Sequence, residues 1–574
     1  MCKFILINIC LWQWIFVIVN CDYLRVNTTT GPMIGVSQTT FVNKVPYLSY
    51  KGVPYAQPPI GELRFKTPLA VKPWSNPIVT TDEFQPSCLV LASSKFLELN
   101  SKQSENCLFL NVYTPVMDKI KVNKKLPVLF FIPGGGFTEG DGTDGYYGPD
   151  FILEHEVILV TINYRLGPFG FANFDVEGYT GNMGLKDQRL ALNWVKENIV
   201  FFGGDPNSIA LAGESAGSVS VHLHLLTGGC EHVNRAIMWS GHAFNYWAYY
   251  RENNQLNVLR ETFKDELGNR TSKRDLLDFM IHASAKLIVE KTPTSGWSRN
   301  TNTIFWTPAI EDKSKAIQPF LTEKPHKIYA NNRFSSHCKN VEVFAGITSS
   351  EFMTFIDPIN LYSWIEPMKY NLIIGLPYHG LTLTPDDNKY KSMQAKIKQF
   401  YFGDEEIEAT PEHLNQYIQM FTDIHFLIPF YETMRLHAKV SKMFCHFFDI
   451  DLGTNIIKKS RHLEMVDRMG HIEDIGYMFK ANQFVTFYNQ TMENRSEVTN
   501  QKTIKAWHFV SKLFTDFVKT GRSANSSPVE SVESAQCVHI MNDGLGSIIQ
   551  PRKERMELWN QIREYLKPYI IDEY

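Results

Sequence analysis

Short hydrophobic runs alternate with amphipathic helical patterns along most of this chain. The clearest runs cover residues 128–132, 157–164, 208–212, 341–347 and 444–450. Each run is largely apolar on consecutive positions, which is typical of strands buried on both faces of a parallel sheet. Helices between the runs would cover those faces. The pattern therefore predicts an α/β fold with a large, mostly parallel central sheet flanked by helices.

One helix is predicted directly before the run at residues 208–212. Its apolar positions recur at helical spacing on one face: Ala191, Trp194, Val195 and Ile199. Gly203 and Gly204 then end the helix. After the run, residues 218–226 are predicted to begin a second helix. Ser215 therefore lies on a tight turn between a strand and a helix.

The stretch "GESAG" places Gly213 and Gly217 two residues either side of Ser215. On a strained strand-to-helix turn a serine hydroxyl projects outward, and side chains two residues away would collide with the turn. This spacing is the G-x-S-x-G nucleophile elbow. Because glycine and serine are common, a chance match is the alternative. The predicted strand before Ser215 and the helix after it favour a nucleophilic serine.

A reactive serine needs a base and also donors that hold an oxyanion, and the loop after the first run can supply donors. Gly134, Gly135 and Gly136 leave the backbone N–H groups free of side-chain obstruction. In hydrolases with this elbow, one donor is the N–H of the residue after the nucleophile, here Ala216. A phosphate-binding loop is the alternative, but the lysine and serine or threonine that end that motif are missing.

Helix-rich regions at about 246–340 and 369–442 are predicted to be insertions over the carboxyl edge of the sheet, where ligands bind in such folds. Near the end of the chain, the stretch "IKAWHFVSKLFTDFVKTG" spaces its aromatic residues as a helix would. We predict that these aromatic residues belong to the core and not to a binding surface.

Eight segments over most of the chain resemble type-B carboxylesterases, the cholinesterase-like α/β-hydrolases, and insect carboxylesterases in particular. They are "KGVPYAQPPIGELRFKTP", "ENCLFLNVYTP", "PGGGF", "INYRLGPFGF", "GNMGLKDQRLALNWVKENIVFFGGDPNSIALAGESAGS", "FAGITSSEF", "FYFGD" and "HIEDIGYMF". The resemblance implies an α/β-hydrolase fold with helical insertions. It also implies hydrolysis of small-molecule carboxylic esters by a serine, with no metal and no cofactor.

The family order of the catalytic triad is serine, glutamate, histidine. The resemblance carries the nucleophile to Ser215, the acid to Glu351 in "GITSSEF" and the base to His471 in "GHIEDIGYMF". The family's oxyanion donors match three backbone N–H groups, those of Gly135, Gly136 and Ala216. Loops that leave the carboxyl edge of the sheet can bring such distant residues together.

Other titratable residues compete for these roles. His222 and His224 lie closer in sequence to the serine, but on the helix that follows it, so we predict that they are packed structural residues. His462 has no motif around it. Glu342 and Asp357 compete for the role of the acid, but neither occupies the position that matches the family.

Two positions near the site depart from the family pattern. Pro133 precedes the glycine triplet, where histidine or another polar or aromatic residue is usual, and its missing N–H is none of the proposed donors. Phe352 follows the acid, where glycine is usual; if that position needs a positive φ, Glu351 would be displaced. The alternative to an esterase is therefore a catalytically silent adhesion or binding protein on the same fold.

Two further features bear on the substrate. The stretch between Cys88 and Cys107 lacks the tryptophan with which cholinesterases bind quaternary ammonium, and Phe96 is its only aromatic residue. A choline ester is therefore not expected as the preferred substrate, and an apolar ester is. Juvenile hormone esterases typically have glutamine before the nucleophile, whereas this chain has Glu214, so that activity is the second alternative.

The cysteines divide into predicted and open pairings. Cys88 and Cys107 bracket a loop whose closure would stabilise the fold by roughly 3 kcal/mol. The resemblance implies that Arg64 pairs with Glu105 near this disulfide, and Asp474 is also expected to be structural. Four cysteines have no obvious partner and are either free, buried thiols or members of long-range bridges: Cys230, Cys338, Cys445 and Cys537.

Composition and net charge bear on nucleic-acid binding and on the size of the core. The 574 residues carry a net charge of −3, which gives no electrostatic case for nucleic acid. With 44% hydrophobic and 13% aromatic residues, the chain can bury a large core. The length allows several domains or one large enzyme. We expect the protein to be a monomer or a homodimer.

The first 21 residues resemble a secretory signal peptide, with a lysine followed by an apolar run to Val19. An uncleaved anchor is the alternative, but the run is short for a membrane span. We expect residues 22–574 to form the secreted carboxylesterase domain without a stable membrane anchor. Five glycosylation sequons agree with secretion: Asn27, Asn269, Asn489, Asn494 and Asn525.

Overall fold

A computed structural model describes ten stretches of the chain. They are residues 5–7, 15–17, 24–94, 102–116, 124–249, 255–294, 304–356, 382–384, 386–466 and 468–569. Most of the predicted signal peptide lies outside these residues. Within it, Ile5–Ile7 and Ile15–Val17 pair as two antiparallel strands.

An eleven-stranded mixed sheet forms the centre of the molecule. In chain order its strands are β1 Val36–Thr39, β2 Pro46–Pro54, β3 Phe109–Pro115, β4 Leu126–Ile132, β5 Ile158–Ile162, β6 Gly204–Glu214, β7 Arg235–Trp239, β8 Glu342–Thr348, β9 Met443–Asp449, β10 Gln536–Met541 and β11 Gly544–Ile549. Their order across the sheet is β11-β10-β9-β8-β7-β6-β4-β5-β3-β2-β1. The block from β5 through β4 to β10 is parallel, and antiparallel strands flank it at both edges. The prediction of a mostly parallel sheet is confirmed.

Helices cover both faces of this sheet. They are α1 Asp144–Tyr147, α2 Asp150–Leu153, α3 Gly167–Phe171, α4 Met183–Asn198, α5 Ala216–Thr227, α6 Gln255–Thr262, α7 Lys264–Leu267, α8 Lys273–His282, α9 Ala285–Lys291, α10 Pro325–Ala330, α11 Asn388–Phe402, α12 Pro411–Thr422, α13 Ile428–His437, α14 Ile456–Ser460, α15 Ile475–Met478, α16 Val485–Glu493, α17 Val498–Thr520 and α18 Lys553–Leu566. Three short strands, Arg25–Asn27, Pro32–Ile34 and Ile78–Val79, form a separate small sheet.

The continuous apolar pattern of the strands reflects burial on both faces. On β4, Val128, Phe130 and Ile132 pack into one hydrophobic cluster, while Leu129 and Phe131 pack into another. All five side chains are fully buried. Because successive side chains point to opposite faces of a strand, both faces must be apolar when helices cover both.

The predicted elements agree with these bounds in most places. The five hydrophobic runs overlap β4, β5, β6, β8 and β9, and α17 buries aromatic residues in the core, including Trp507 and Phe514. The runs did not include the outer strands β1, β2, β3, β10 and β11, nor β7 inside the parallel block, which begins with a charged residue and has only five positions. Helices α6–α10 and α11–α13 occupy the two regions predicted as helical insertions, of which residues 250–254, 295–303, 369–381 and 385 lie outside the described part of the chain.

Three disulfides cross-link the described part of the chain. The predicted bridge between Cys88 and Cys107 is present. The four cysteines whose pairing was open form two long-range bridges, Cys230–Cys338 and Cys445–Cys537, which close 108 and 92 residues. Neither pairing could be chosen from sequence, because it depends on which strands and loops become neighbours.

The predicted ion pair of Arg64 and Glu105 is bidentate, with nitrogen–oxygen distances of 2.6 and 2.7 Å. The remaining guanidinium nitrogen donates to the carbonyls of Met280, Ile281 and Ala283 at the carboxyl end of α8. This arginine therefore fastens the helical insertion to the loop near the first disulfide, which supports the structural role given to the pair.

The surface carries all five predicted sequons, whose asparagine side chains are exposed. Among the described residues, no helix combines the length and the apolar character that crossing a bilayer requires.

Candidate active site

Ser215 occupies the turn between β6 and α5, with φ 56° and ψ −124°. Its N–H donates to the carbonyl of Trp239 at 2.9 Å, which fixes the turn against β7. A Cβ on Gly217 would lie 2.0 Å from the carbonyl oxygen of Ile132, and one on Gly213 would lie 2.4 Å from Gly217. Real Cβ contacts are not this short, so only glycine fits at both positions of the elbow.

The glycine loop after β4 lies beside this turn. Gly135 and Gly136 have φ values of 109° and 59°, which favour glycine. A Cβ on Gly135 would lie 2.3 Å from the carbonyl oxygen of Glu139. Within the described residues, no hydrogen bond uses the N–H of Gly135, Gly136 or Ala216. Both glycines line one cavity with Ser215, so these donors are available to a bound molecule.

The departure at Pro133 leaves the loop intact. Its carbonyl accepts the hydroxyl of Tyr164 at 2.9 Å. The loop then packs closely, since a Cβ on Gly134 would lie 2.7 Å from the carbonyl oxygen of Glu214 and one on Gly140 would lie 2.2 Å from that of Gly134. The proline therefore stands in a rigid segment and removes none of the three free N–H groups.

Glu351 and His471 are joined although 120 residues separate them in sequence. His471 Nδ1 and Glu351 Oε2 lie 2.7 Å apart. Glu351 Oε1 accepts the N–H of Thr348 at 2.7 Å, and the Thr354 hydroxyl donates to the carbonyl of His471 at 2.8 Å. Both side chains are buried. The carboxylate can thus hold the tautomer of the imidazole that carries its proton on Nδ1.

Phe352 does not displace the neighbouring glutamate. It lies within a 3₁₀ turn, Glu351–Phe355, and its φ is not positive, so the position has no need of glycine. Its N–H donates to the Thr422 hydroxyl at 3.1 Å. The buried phenyl ring instead becomes part of the cavity wall.

Glu214 contacts the other nitrogen of the imidazole. Its Oε1 lies 3.1 Å from His471 Nε2 without the angles of a directed hydrogen bond. Burial first, and then the charge of Glu351, raise the pKa of Glu214 well above its usual range. Among the described residues, no hydrogen bond joins Ser215 Oγ to His471. Sequence analysis missed this contact; the place of Glu214 beside the serine at the end of β6 was the available signal.

Asp474 adds a third carboxyl group to this buried cluster. Burial first, then the charges of Glu214 and Glu351, raise its pKa well above the usual range. Its side chain accepts the N–H of Ile475 at 3.1 Å at the start of α15. The helix cap agrees with the structural role expected for this residue.

A cavity of about 270 Å³ opens above Ser215. Aromatic side chains form one side of its wall, and hydroxyl-bearing residues, the glycine loop, Ile304 and Glu139 form the rest. The lining residues include Tyr246, Trp247, Phe352, Phe355, His425 and Phe426 on the aromatic side and Ser93, Ser94, Thr138 and Thr294 on the polar side. Such a wall suits an apolar molecule with few polar groups.

The competing histidines have other partners. His222 Nε2 lies 2.7 Å from the Tyr329 hydroxyl, and its Nδ1 accepts the N–H of Ala243. His224 Nε2 lies 3.1 Å from Gln188 Oε1. Both rings are buried on α5, as the prediction of packed structural residues requires.

The remaining competitors lie away from Ser215 or outside the described residues. Glu342 pairs with Arg235 and Lys442 at the amino end of β8. His462 is exposed, and Asp357 is outside the described residues. Within the described ranges, no group of three or more histidine, cysteine, aspartate or glutamate side chains could hold a metal ion.

Known esterases are similar to this chain over most of its length. The chain is 28% identical to Esterase B1 of Culex pipiens over 96% of its own length and 99% of that protein. It is 30% identical to the juvenile hormone esterase of Tribolium castaneum over 79% of this chain and 78% of that protein. The solved juvenile hormone esterase of Manduca sexta, with OTFP covalently attached, superposes with a TM-score of 0.77, covers 94% of this chain and 99% of its own, and is 23% identical.

The sequence profile of the carboxylesterase family matches residues 22–561, nearly the whole chain. The structural likeness shows the shared α/β-hydrolase fold. The chain therefore belongs to the carboxylesterase family and is a carboxylic ester hydrolase.

Proposed function

We propose that this chain is a secreted serine esterase that hydrolyses apolar carboxylic esters through an acyl-enzyme on Ser215. One observation carries the proposal: Ser215 and the free N–H groups of the glycine loop face the same aromatic cavity. An ester bound there would meet a nucleophile and oxyanion donors together. The aromatic wall favours apolar acyl or alcohol groups.

The first half of the reaction transfers the acyl group. Ser215 Oγ attacks the ester carbonyl carbon, and its proton passes to His471 Nε2. Three N–H groups hold the resulting oxyanion: Gly135, Gly136 and Ala216. The carbon–oxygen bond to the alcohol then breaks, and His471 gives its proton to the departing alcohol oxygen.

Water completes the cycle. His471 takes a proton from a water molecule, which attacks the acyl carbonyl; the acid is released, and the proton returns to Ser215 Oγ. Glu351 keeps Nε2 free to accept a proton and stabilises the imidazolium at each step. Because Nε2 faces Glu214 in this structure, the ring must turn toward Ser215 when an ester binds, as catalytic hydrogen bonds often tighten only in the complex.

Secretion is part of the same proposal. We infer that residues 1–21 are a signal peptide and that residues 22–574 form the exported domain, as a monomer or a homodimer. Three disulfides and five exposed sequons support an oxidising compartment. The N-terminal sequence of protein recovered from the medium of expressing cells tests this part, and retention of the intact leader within cells would overturn it.

Labelling with a fluorophosphonate tests the nucleophile. Wild type should be labelled and should hydrolyse 4-nitrophenyl esters, whereas Ser215→Ala should lose the label and at least about 10⁴-fold in kcat. Ser220→Ala is the matched control, since that hydroxyl is buried on α5 and bonds to the carbonyl of Ala216. Absence of labelling in a folded wild-type sample would favour a silent binding protein.

A juvenile hormone esterase is the second candidate, because relatives with that name are 29% and 30% identical to the chain. Against it, the residue before the nucleophile is Glu214, where juvenile hormone esterases typically have glutamine. Comparing kcat/KM for juvenile hormone with kcat/KM for simple aliphatic esters separates the two. A much higher kcat/KM for juvenile hormone than for the aliphatic esters would identify the chain as a juvenile hormone esterase.

A further inference from the structure

His425 lies where the chain between α12 and α13 forms a π-helical turn, Asp423–Leu427. Turns of this type often mark functional positions, because they re-aim one side chain within a helix. The carbonyl of His425 accepts the Asn245 side chain at 2.6 Å, which holds the turn in place. Its ring lines the same cavity as Ser215.

Aromatic rings surround the imidazole of His425. It stacks on Phe352 with ring centres 5.2 Å apart and planes 19° apart, and it approaches Tyr246 at 4.5 Å and Phe421 at 5.2 Å. The residue is only 2% exposed, and burial lowers its pKa to about 3. The ring is therefore neutral and offers one N–H donor and one nitrogen acceptor.

Neither ring nitrogen of His425 has a hydrogen-bond partner within the described residues. A buried polar group without a partner costs free energy, and its persistence in a native structure needs an explanation. His242 and His446 also have two nitrogens without partners, but neither lines the cavity above Ser215. Among these three residues, His425 is the one that lines this cavity.

We infer that His425 is a specificity-determining residue that hydrogen-bonds an oxygen carried by the apolar part of the ester substrate, away from the scissile bond. This inference rests on the proposed function of Ser215. Phe352 and Tyr246 would enclose the hydrocarbon around that oxygen, and the imidazole would meet a hydroxyl, ether or carbonyl group. A site built to pair with such a group discriminates against the analogue that lacks it, since the imidazole is then left without a partner.

Matched esters test the inference. One series, the acyl arm, varies the acyl group: 4-nitrophenyl hexanoate is compared with analogues in which one CH₂ of the acyl chain is replaced by oxygen or carries a hydroxyl. Each analogue places the oxygen at a different position of the acyl chain. In the alcohol arm, hexyl acetate is compared with the corresponding hydroxy- and ether-hexyl acetates. Wild type should prefer the oxygenated ester by about tenfold in kcat/KM at one position of one arm, which also identifies the side that contacts His425.

His425→Phe keeps the aromatic stack and removes both nitrogens. It should lower kcat/KM for the preferred oxygenated ester about tenfold and leave the hydrocarbon ester within about twofold. His242→Phe is the matched control, and the preference should survive in it. Equal changes for both esters in His425→Phe, or a wild type that prefers no oxygenated ester in either arm, would overturn the inference.

The wild-type series stands even if His425→Phe fails to fold. Failure of the underlying function has a different signature, because wild type would then hydrolyse none of the esters and resist fluorophosphonate. An ordered water that merely fills the site would leave no preference between the matched esters, which counts against the inference.

Discussion

Two regions meet at Ser215, and different kinds of contact hold them in place. The serine side, β4 to α5 with its two glycine-rich turns, is fixed by backbone packing that leaves no room for a Cβ at Gly135 or Gly217. The histidine side, the loops after β8 and β9 with the helical insertions, is held by side-chain contacts such as Glu351 with His471. One region is therefore specified by close backbone contacts that only glycine permits, and the other by side-chain pairs.

Apart from loss of the nucleophile itself, the largest effect is expected on the histidine side. Glu351→Gln would offer an amide where the imidazole needs an acceptor, so the histidine would lose its productive tautomer. We expect kcat to fall by about 10³- to 10⁴-fold with the fold intact. Steady-state kinetics with 4-nitrophenyl esters, alongside circular dichroism, measures this. A loss below tenfold would remove Glu351 from the proposed triad.

The bridge Cys230–Cys338 ties the two regions together, because it joins the segment after α5 to the segment before β8. Replacing both cysteines by alanine should lower the free energy of unfolding by about 4 to 5 kcal/mol, since the closed loop is long. The disulfide between Cys88 and Cys107 closes a far shorter loop. Replacing both of these cysteines by alanine should therefore lower the free energy of unfolding by only about 3 kcal/mol.

Chemical denaturation of both double variants measures the difference. Equal losses would show that loop length does not set the effect and that local packing around each bridge does.

Glycine substitutions test the serine side. In Gly217→Ala the new methyl group would meet the Ile132 carbonyl at 2.0 Å, so β4 and α5 must separate. We expect a loss of stability of about 3 kcal/mol and of labelling by fluorophosphonate. Gly228→Ala, at the end of α5, adds a methyl in open space at a φ of 81° and should cost only about 1 kcal/mol. Similar melting temperatures for the two variants would contradict the steric argument.

The smallest effect is expected at Glu214. Burial first, and then the charge of Glu351, raise the pKa of Glu214 well above its usual range, which favours the neutral carboxyl, and glutamine has nearly the same shape and no charge. Glu214→Gln should therefore change kcat/KM by less than about threefold between pH 6 and 8. A loss above tenfold in the same assay would mean that the ionised carboxylate acts on His471.

Local geometry explains what could be predicted. The elbow at Ser215, the glycine loop and the five apolar strands were readable because each needs particular residue types at short, fixed spacing. The family resemblance added Glu351 and His471 from short motifs around each. The strand β7 was missed because its five residues have too little pattern to separate it from a loop.

The sequence by itself determined the backbone of the serine side, since only glycine fits where chain segments touch. It left undecided how four cysteines pair, that Glu214 would contact the imidazole, and that His425 would reach the cavity without a partner. The tertiary structure decided these points. Each depends on which distant segments become neighbours, and that is set by the packing of the whole chain and not by any local pattern.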